Sequence, residues 1–176
     1  MKVQRIVTAS LLALGLMAFS GVAAAADQVI FLVRHAERAD RTGSPPPAGT
    51  TMASDPPLSP AGNERATKLA SMLAGSDVKH IFTTELQRTR LTAAPLAAKI
   101  SVQPVVVPGA SSDRLVQQIL EARGSVLVVG HTNTVPEVIK RLGVTAPISI
   151  PESEYDNLFI VVRPASGPPA LIRLRY

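Results

Sequence analysis

Gln28-Val29-Ile30-Phe31-Leu32-Val33-Arg34-His35-Ala36-Glu37 is an apolar run, rich in β-branched side chains, that ends on an arginine and a histidine. A short continuous apolar run of this kind reads as a strand buried on both faces, the hallmark of a parallel sheet. Open α/β sheets bind ligands outside the carboxyl ends of their strands, so Arg34 and His35 fall where backbone donors, helix N-termini and side chains can converge on a phosphate. Two further runs end in the same way. One leads into Thr83-Thr84-Glu85-Leu86-Gln87-Arg88-Thr89-Arg90, the other into Val128-Val129-Gly130-His131-Thr132-Asn133.

Working outward, the strand candidates are Gln28 to Val33, Lys79 to Thr83, Val102 to Val107, Val126 to Val129, Leu158 to Val162 and Ala170 to Leu174. Stretches of helical period separate most of them, which predicts a single α/β domain with a mostly parallel central sheet and helices on both faces. Ser59-Pro60 is an N-cap followed by proline at the first helical position, and Ala66, Leu69, Ala70 and Leu73 form the apolar stripe of a helix reaching Ala74. Thr84 with Gln87 has the spacing of a capping box for a helix running toward Lys99, which Pro95 should kink or divide. Ser111 or Ser112 opens a helix to Ala122, and Asn133 or Thr134 opens another to Leu142, with Pro136 tolerated in its first turn. The last two strands, on either side of Pro164-Ala165-Ser166-Gly167-Pro168-Pro169, read as a hairpin or a return connection at the sheet margin. Asp40 to Pro57 holds five prolines and almost no large apolar residue, so it reads as a loop, either a lid over the strand ends or a solvated excursion.

Residues 1–26 read as an export signal: Lys2 and Arg5 form the basic start, Ile6 to Phe19 the apolar core, and Ala24-Ala25-Ala26 the small residues before cleavage at Asp27. The core is shorter than the roughly 20 apolar residues of a spanning helix, so no stable membrane insertion is expected and the mature domain is residues 27–176, exported to a periplasm or the exterior. Removing Lys2 and Arg5 from the 18 basic side chains leaves 16 against 13 acidic, a formal +3, too small an excess to argue for nucleic acid. The scattered aromatics Phe31, Phe82, Phe159, Tyr155 and Tyr176 offer no stacking platform, and a small anionic substrate fits better. The chain has no cysteine, which excludes a thiol nucleophile and thiolate metal sites. His35, His80 and His131 show no metal-binding spacing, so neither metal nor cofactor is expected.

Transfer of a phosphoryl group spreads charge over its equatorial oxygens and calls for cations around it with a nucleophile in line. Arg34 and Arg88 can supply the cations, since a guanidinium donates two parallel hydrogen bonds to phosphate and stays charged. His35 is then available as a neutral nucleophile if one ring nitrogen is held protonated by a neighbour. His131 would donate to the phosphoryl oxygens, preferring its charged form beside that anion. His80 precedes its strand body and reads as structural.

These residues resemble the histidine phosphatase superfamily, the phosphoglycerate mutase-like family, over essentially all of residues 27–176. Arg34-His35-Ala36-Glu37 resembles its opening Arg-His-Gly motif, and Leu58-Ser59-Pro60-Ala61-Gly62 its Leu-Thr-x-x-Gly helix start. Thr84-Glu85-Leu86-Gln87-Arg88-Thr89 resembles the second-arginine motif, and Gly130-His131 the late histidine. The resemblance implies a phosphohistidine at His35, a pocket completed by Arg34, Arg88 and His131, and a supporting place for Glu37 beside it. Two departures stand out. Ala36 occupies a glycine position, tolerable unless the backbone there needs a positive φ. Thr132 follows His131 where some members carry an aspartate, which leaves Asp113 as the positional candidate for the general acid, with Glu37 and Glu85 as alternatives.

On this resemblance the expected activity is metal-independent hydrolysis of phosphomonoesters, with envelope sugar phosphates as the leading substrate class and mutase activity disfavoured. Two rival readings are a phosphohistidine-protein phosphatase and a non-catalytic module that binds phosphate or sugar phosphates. The sequence leaves oligomeric state open.

Overall fold

The computed structural model describes residues 27–41 and 55–176, so the leader and most of the proline-rich segment expected to be a loop or lid lie outside the described residues. Alternation along the strands builds two cores, one on each face of a single sheet. In β1 (Gln28–Arg34), Ile30 and Leu32 join β4 (Ser125–Gly130) side chains Val126 and Val128 on one face. There they meet Val116 and Ile119 of α3 (Ser112–Glu121) and Val135, Val138 and Ile139 of α4 (Thr134–Arg141). Phe31 and Val33 point the other way with Leu127 and Val129, onto Leu69 and Leu73 of α1 (Pro60–Leu73) and Ala93 and Leu96 of α2 (Gln87–Ile100). Since successive strand residues face opposite sides, a run apolar at every position needs cover on both. Each fully buried Leu, Ile or Val contributes on the order of 2 kcal/mol of transfer free energy.

The sheet order is β3-β2-β4-β1-β5-β6, with β2 at Val78–Thr83, β3 at Val105–Val106, β5 at Asn157–Arg163 and β6 at Ala170–Arg175. The four strands from β3 to β1 are mutually parallel; β5 is antiparallel to β1 and forms the marginal hairpin with β6. The central pair β4 and β1 therefore ends in register, with Arg34 opposite Gly130, and the next residues, His35 and His131, emerge side by side.

Three local expectations change. The strand expected over Val102 to Val107 pairs only at Val105–Val106, both exposed at the sheet edge. Pro95 does not divide α2, which runs unbroken from Gln87 to Ile100. The lost donor costs a single backbone hydrogen bond in a helix whose Thr89, Thr92, Ala93, Leu96 and Ala97 are buried. Nor does Thr84 cap that helix: Leu86 is the N-cap residue and makes no side-chain cap bond, while the Asp55 carboxylate accepts from the Gln87 N–H at 2.8 Å. By contrast, Ser59 caps α1 as expected, accepting from Gly62 N at 3.1 Å with Pro60 following.

Candidate active site

The ends of β1, β2 and β4 open into a cleft of about 440 Å³ lined by Arg34, His35, Arg38, Glu85, Arg88, His131, Thr132 and Glu152, together with Gly109 and Ala110. Arg34 and His35 form its floor, at 3% and 4% exposure. The His35 N–H donates to Gly130 O at 2.9 Å, which continues the β1–β4 ladder one residue past the strand and fixes where the ring starts.

The tautomer of His35 follows from its partner. Nδ1 lies 2.8 Å from the carbonyl oxygen of Ala36, which can only accept, so Nδ1 carries the proton and Nε2 keeps its lone pair. Burial, reinforced by the positive charges of Arg88, His131 and Arg34, lowers the His35 pKa to about 3, against the opposing pull of the Ala36 bond. The ring is thus neutral at physiological pH, the form a nucleophile requires. His131 stands beside it, ring centroids 5.3 Å apart at 63°, with Nε2 3.2 Å from Thr84 Oγ1. Its pKa is lowered to about 4, by burial first and then by Arg88, with Glu85 opposing. In the ligand-free cleft His131 is therefore neutral, and the charged form expected from the sequence requires an anion to arrive first.

Both expected arginines are present. Arg34 Nη1 donates to Pro151 O, Glu152 O and Glu154 O at 3.3, 2.8 and 3.0 Å, Nη2 donates to Glu152 Oε2 at 2.9 Å, and the guanidinium lies 4.1 Å from the Tyr155 ring centroid. Arg88 Nη1 is 3.7 Å from Asp55 Oδ1. Each arginine also has a buried Nε that lacks a partner among the described residues. A buried donor without an acceptor costs about 1–3 kcal/mol, a cost that a bound anion would relieve.

Two sequence candidates fall elsewhere. Asp113, in the first turn of α3, has a side chain that is 87% exposed, pairs with Arg141 and does not line the cleft. Glu37 turns to the back of the loop, where Arg65 Nε reaches both its oxygens at 2.9 Å and Nη2 reaches Oε1 at 2.6 Å. It thereby anchors the His35 loop to α1. Ser59 N donates to Glu37 O at 2.9 Å, and a Cβ on Gly62 would meet that same oxygen at 2.3 Å, which is why glycine occupies this position. Ala36, at a residue the family fills with glycine, has no positive φ; its methyl is fully buried with Leu58 and Ala66, and its N–H donates to Thr92 Oγ1 at 2.9 Å.

Glu85 is the sequence alternative that does line the cleft. Its Oε2 accepts from Gly109 N at 2.9 Å, and bonds from its own N–H and that of Gly109, aided by His131 and Arg88, hold its carboxyl below the usual range. His80 is remote from the cleft, bonding Arg123 O at 3.1 Å. Residues given no place in the site from the sequence also line or support it: Arg38, forked onto Asp40 at 2.9 and 2.5 Å, Asp55, Glu152, and Thr84, read there only as a cap and as part of a motif. Arg38 could have been noticed from its place four residues after the end of β1, whereas Glu152 sits in a loop with no motif at all. Among the described residues no group of three or more His, Asp or Glu could hold a metal ion, and no helix is long and apolar enough to cross a membrane.

Residues 30–111 match the family model of the histidine phosphatase superfamily (branch 1), a span that includes His35 and Arg88. No curated protein matches the sequence. Among solved structures the chain is similar to the protein histidine phosphatase SixA complexed with tungstate, at 18% identity and a TM-score of 0.63 over 84% of this chain and 96% of that one. It is also similar to mycobacterial glucosyl-3-phosphoglycerate phosphatase (13%, TM-score 0.61, 82% and 97%) and to phosphoserine phosphatase from Entamoeba histolytica in complex with 3-phosphoglyceric acid (15%, 0.59, 85% and 97%). At such identities the likeness is one of fold. The family match spans the first arginine-histidine and second-arginine motifs, the sheet carries His131 to the same cleft, and the chain is thus similar in fold and over these motifs to the histidine phosphatase superfamily.

Proposed function

We propose that the protein hydrolyses phosphomonoesters through a phosphohistidine on His35, with no metal ion taking part. The observation that carries this reading is the His35 tautomer: Nδ1–H on the Ala36 carbonyl leaves a neutral Nε2 in a cleft shared with Arg88 and His131. Nε2 bonds to phosphorus as the ester P–O bond breaks. The proton for the leaving oxygen arrives with the phosphate monoanion, because Glu85 is held as a carboxylate and both histidines are neutral before binding. Water then adds to phosphorus, the N–P bond breaks, the electron pair returns to Nε2, and both water protons stay on the released phosphate, which leaves as a monoanion. Guanidinium donors and the His131 ring stabilise the charge on the equatorial oxygens in both steps.

The expectation of export places the substrate outside the cytoplasm, and envelope sugar phosphates remain the proposed class. One observation favours a second reading: Glu85, the carboxyl that lines the cleft beside His131 and Arg88, is held below the usual range and so is a poor proton donor to a leaving group. A phosphohistidine side chain needs no such donor, so a phosphoprotein is the alternative substrate. Rapid-quench labelling with a radiolabelled phosphomonoester at mildly acidic pH, with chelator present, tests the main reading. An acid-labile, alkali-stable label that vanishes in His35→Ala is expected. Turnover of a phosphorylated histidine protein without turnover of small esters would favour the alternative, and phosphate binding without any turnover would reduce the site to a binding module.

A further inference from the structure

Every guanidinium that lines the cleft already faces a carboxylate: Arg34 pairs with Glu152 at 2.9 Å, Arg38 with Asp40 at 2.5 Å, and Arg88 with Asp55 at 3.7 Å. The cleft is also layered. Its floor is cationic and buried, with the Arg34 and Arg88 side chains at 3% and 13% exposure. Its rim carries two exposed carboxylates, and both are fixed in place. Glu152, 61% exposed, accepts from Arg34 Nη2 through one oxygen and from Thr132 Oγ1 at 3.0 Å through the other. Glu85 is held by the Gly109 N–H at 2.9 Å and lies near enough to His131 and Arg88 to feel their charge.

From this we infer that the leaving group preferred by the site carries an ammonium close to its phosphate, as in an amino-alcohol or amino-sugar phosphate, and that a leaving group carrying a carboxylate is rejected. The inference rests on the phosphatase reading above and specifies its substrate class. A phosphate monoanion on the floor enters a cleft whose arginine charge is already matched, so the complex gains negative charge overall. The part of the substrate next to phosphorus then lies at a rim flanked by Glu85 and Glu152. An ammonium there interacts favourably with both carboxylates, whereas a second anion is repelled by both at contact distances where screening by salt is incomplete. Juxtaposed like charges are an efficient way to exclude a wrong ligand.

Three esters that differ in one substituent read this selection: O-phosphoethanolamine, ethyl phosphate and phosphoglycolate, assayed with the full-length chain. The quantity of interest is the ratio of kcat/KM for the amine to that for the carboxylate. In Glu85→Gln, in Glu152→Gln and in the double variant, any uniform loss of activity and the intrinsic reactivity of each ester cancel from the change in this ratio. We expect the ratio to fall about tenfold in the double variant, by a part of that in each single variant, and also as salt is raised from 20 to 500 mM in the unsubstituted protein. Affinities of the same esters for His35→Ala, measured by calorimetry, read the rim independently of turnover and should rank amine, then neutral, then carboxylate. An unchanged ratio together with a flat affinity order would overturn the inference and leave the phosphatase assignment standing. The expected affinity order without hydrolysis by the unsubstituted protein would support the rim and remove the small-ester reading instead.

Discussion

The imidazoles of His35 and His131 meet edge to face, centroids 5.3 Å apart, at the ends of the two central strands β1 and β4. Burial, and after it the charge of nearby arginines, keeps both neutral, with pKa values lowered to about 3 and about 4. A histidine depressed in the native state binds its proton first in the unfolded chain, so stability is fully present above the unfolded pKa near 6.5 and is lost as pH falls below it.

Thermal denaturation between pH 7 and pH 5 should therefore show a falling Tm, the unfolding free energy dropping by up to about 1.4 kcal/mol per pH unit for each histidine. Glu85 and Glu154, both depressed, do not titrate in this window, which isolates the histidines. His35→Ala and His131→Ala should each flatten the slope; unchanged slopes would mean that the histidines are not depressed.

Hydrolysis should follow the substrate rather than His35 in its pH dependence. Because His35 stays neutral down to about pH 3, acid does not switch off the nucleophile, and kcat/KM should be greatest where the ester is a monoanion, declining above its second pKa near 6. A profile of kcat/KM against pH for two esters of different second pKa would show the limb moving with the ester. A fixed limb would point to an enzyme group instead.

His35→Ala should abolish turnover, whereas His80→Ala and Asp113→Asn should remain within a few-fold of the unsubstituted protein. His80 bonds only a backbone carbonyl away from the cleft, and Asp113 pairs with Arg141 at the surface of α3. Steady-state kinetics on one ester separates the three, and a loss of a hundredfold in Asp113→Asn would restore it as the proton donor.

Arg34→Lys keeps the charge but gives up the fork that serves three carbonyls of residues 151–154, the Glu152 carboxylate and the face of Tyr155. An ammonium on a flexible stem cannot reproduce that planar geometry. A loss of about 2 kcal/mol in stability is expected by chemical denaturation, on the scale of buried charged hydrogen bonds, along with a raised KM.

Gly62→Ala places a methyl where the Glu37 carbonyl stands, 2.3 Å from the ideal Cβ. Helix α1 or the His35 loop has to shift, at a cost of about 1–3 kcal/mol. Denaturation should show the loss and kinetics a lowered kcat, since the displaced loop carries His35, the proposed nucleophile.

Much of this architecture was legible along the chain because it is local or periodic. Continuous apolar runs such as Ile30 to Val33 can be stable only when covered on both faces, and the cap at Ser59-Pro60 needs nothing beyond its own turn. The strand ends, hence His35, Arg88 and His131, follow from those runs. The capping box read at Thr84 failed for a physical reason: the Thr84 hydroxyl bonds Thr89 and His131, and a carboxylate 32 positions away, Asp55, takes the orphan donor of α2. Similarly, the strand expected at Val102 to Val107 shortens because only two of its residues find a pairing partner at the edge.

The gathering of the basic residues was thus written in the linear pattern, since residue type and strand position suffice to bring two histidines and two arginines to one sheet end. The acidic half of the site was not. Neither Asp113 nor Glu37 differs in sequence character from Glu85 or Glu152. Only the chain's return through α3, the loop at 151–154 and the ion pairs of Arg141, Arg65 and Arg34 places two of these carboxylates away from the cleft and two at its rim. Side-chain charge is a property of a residue, but the field it contributes depends on distance and burial, and those exist only in the folded chain.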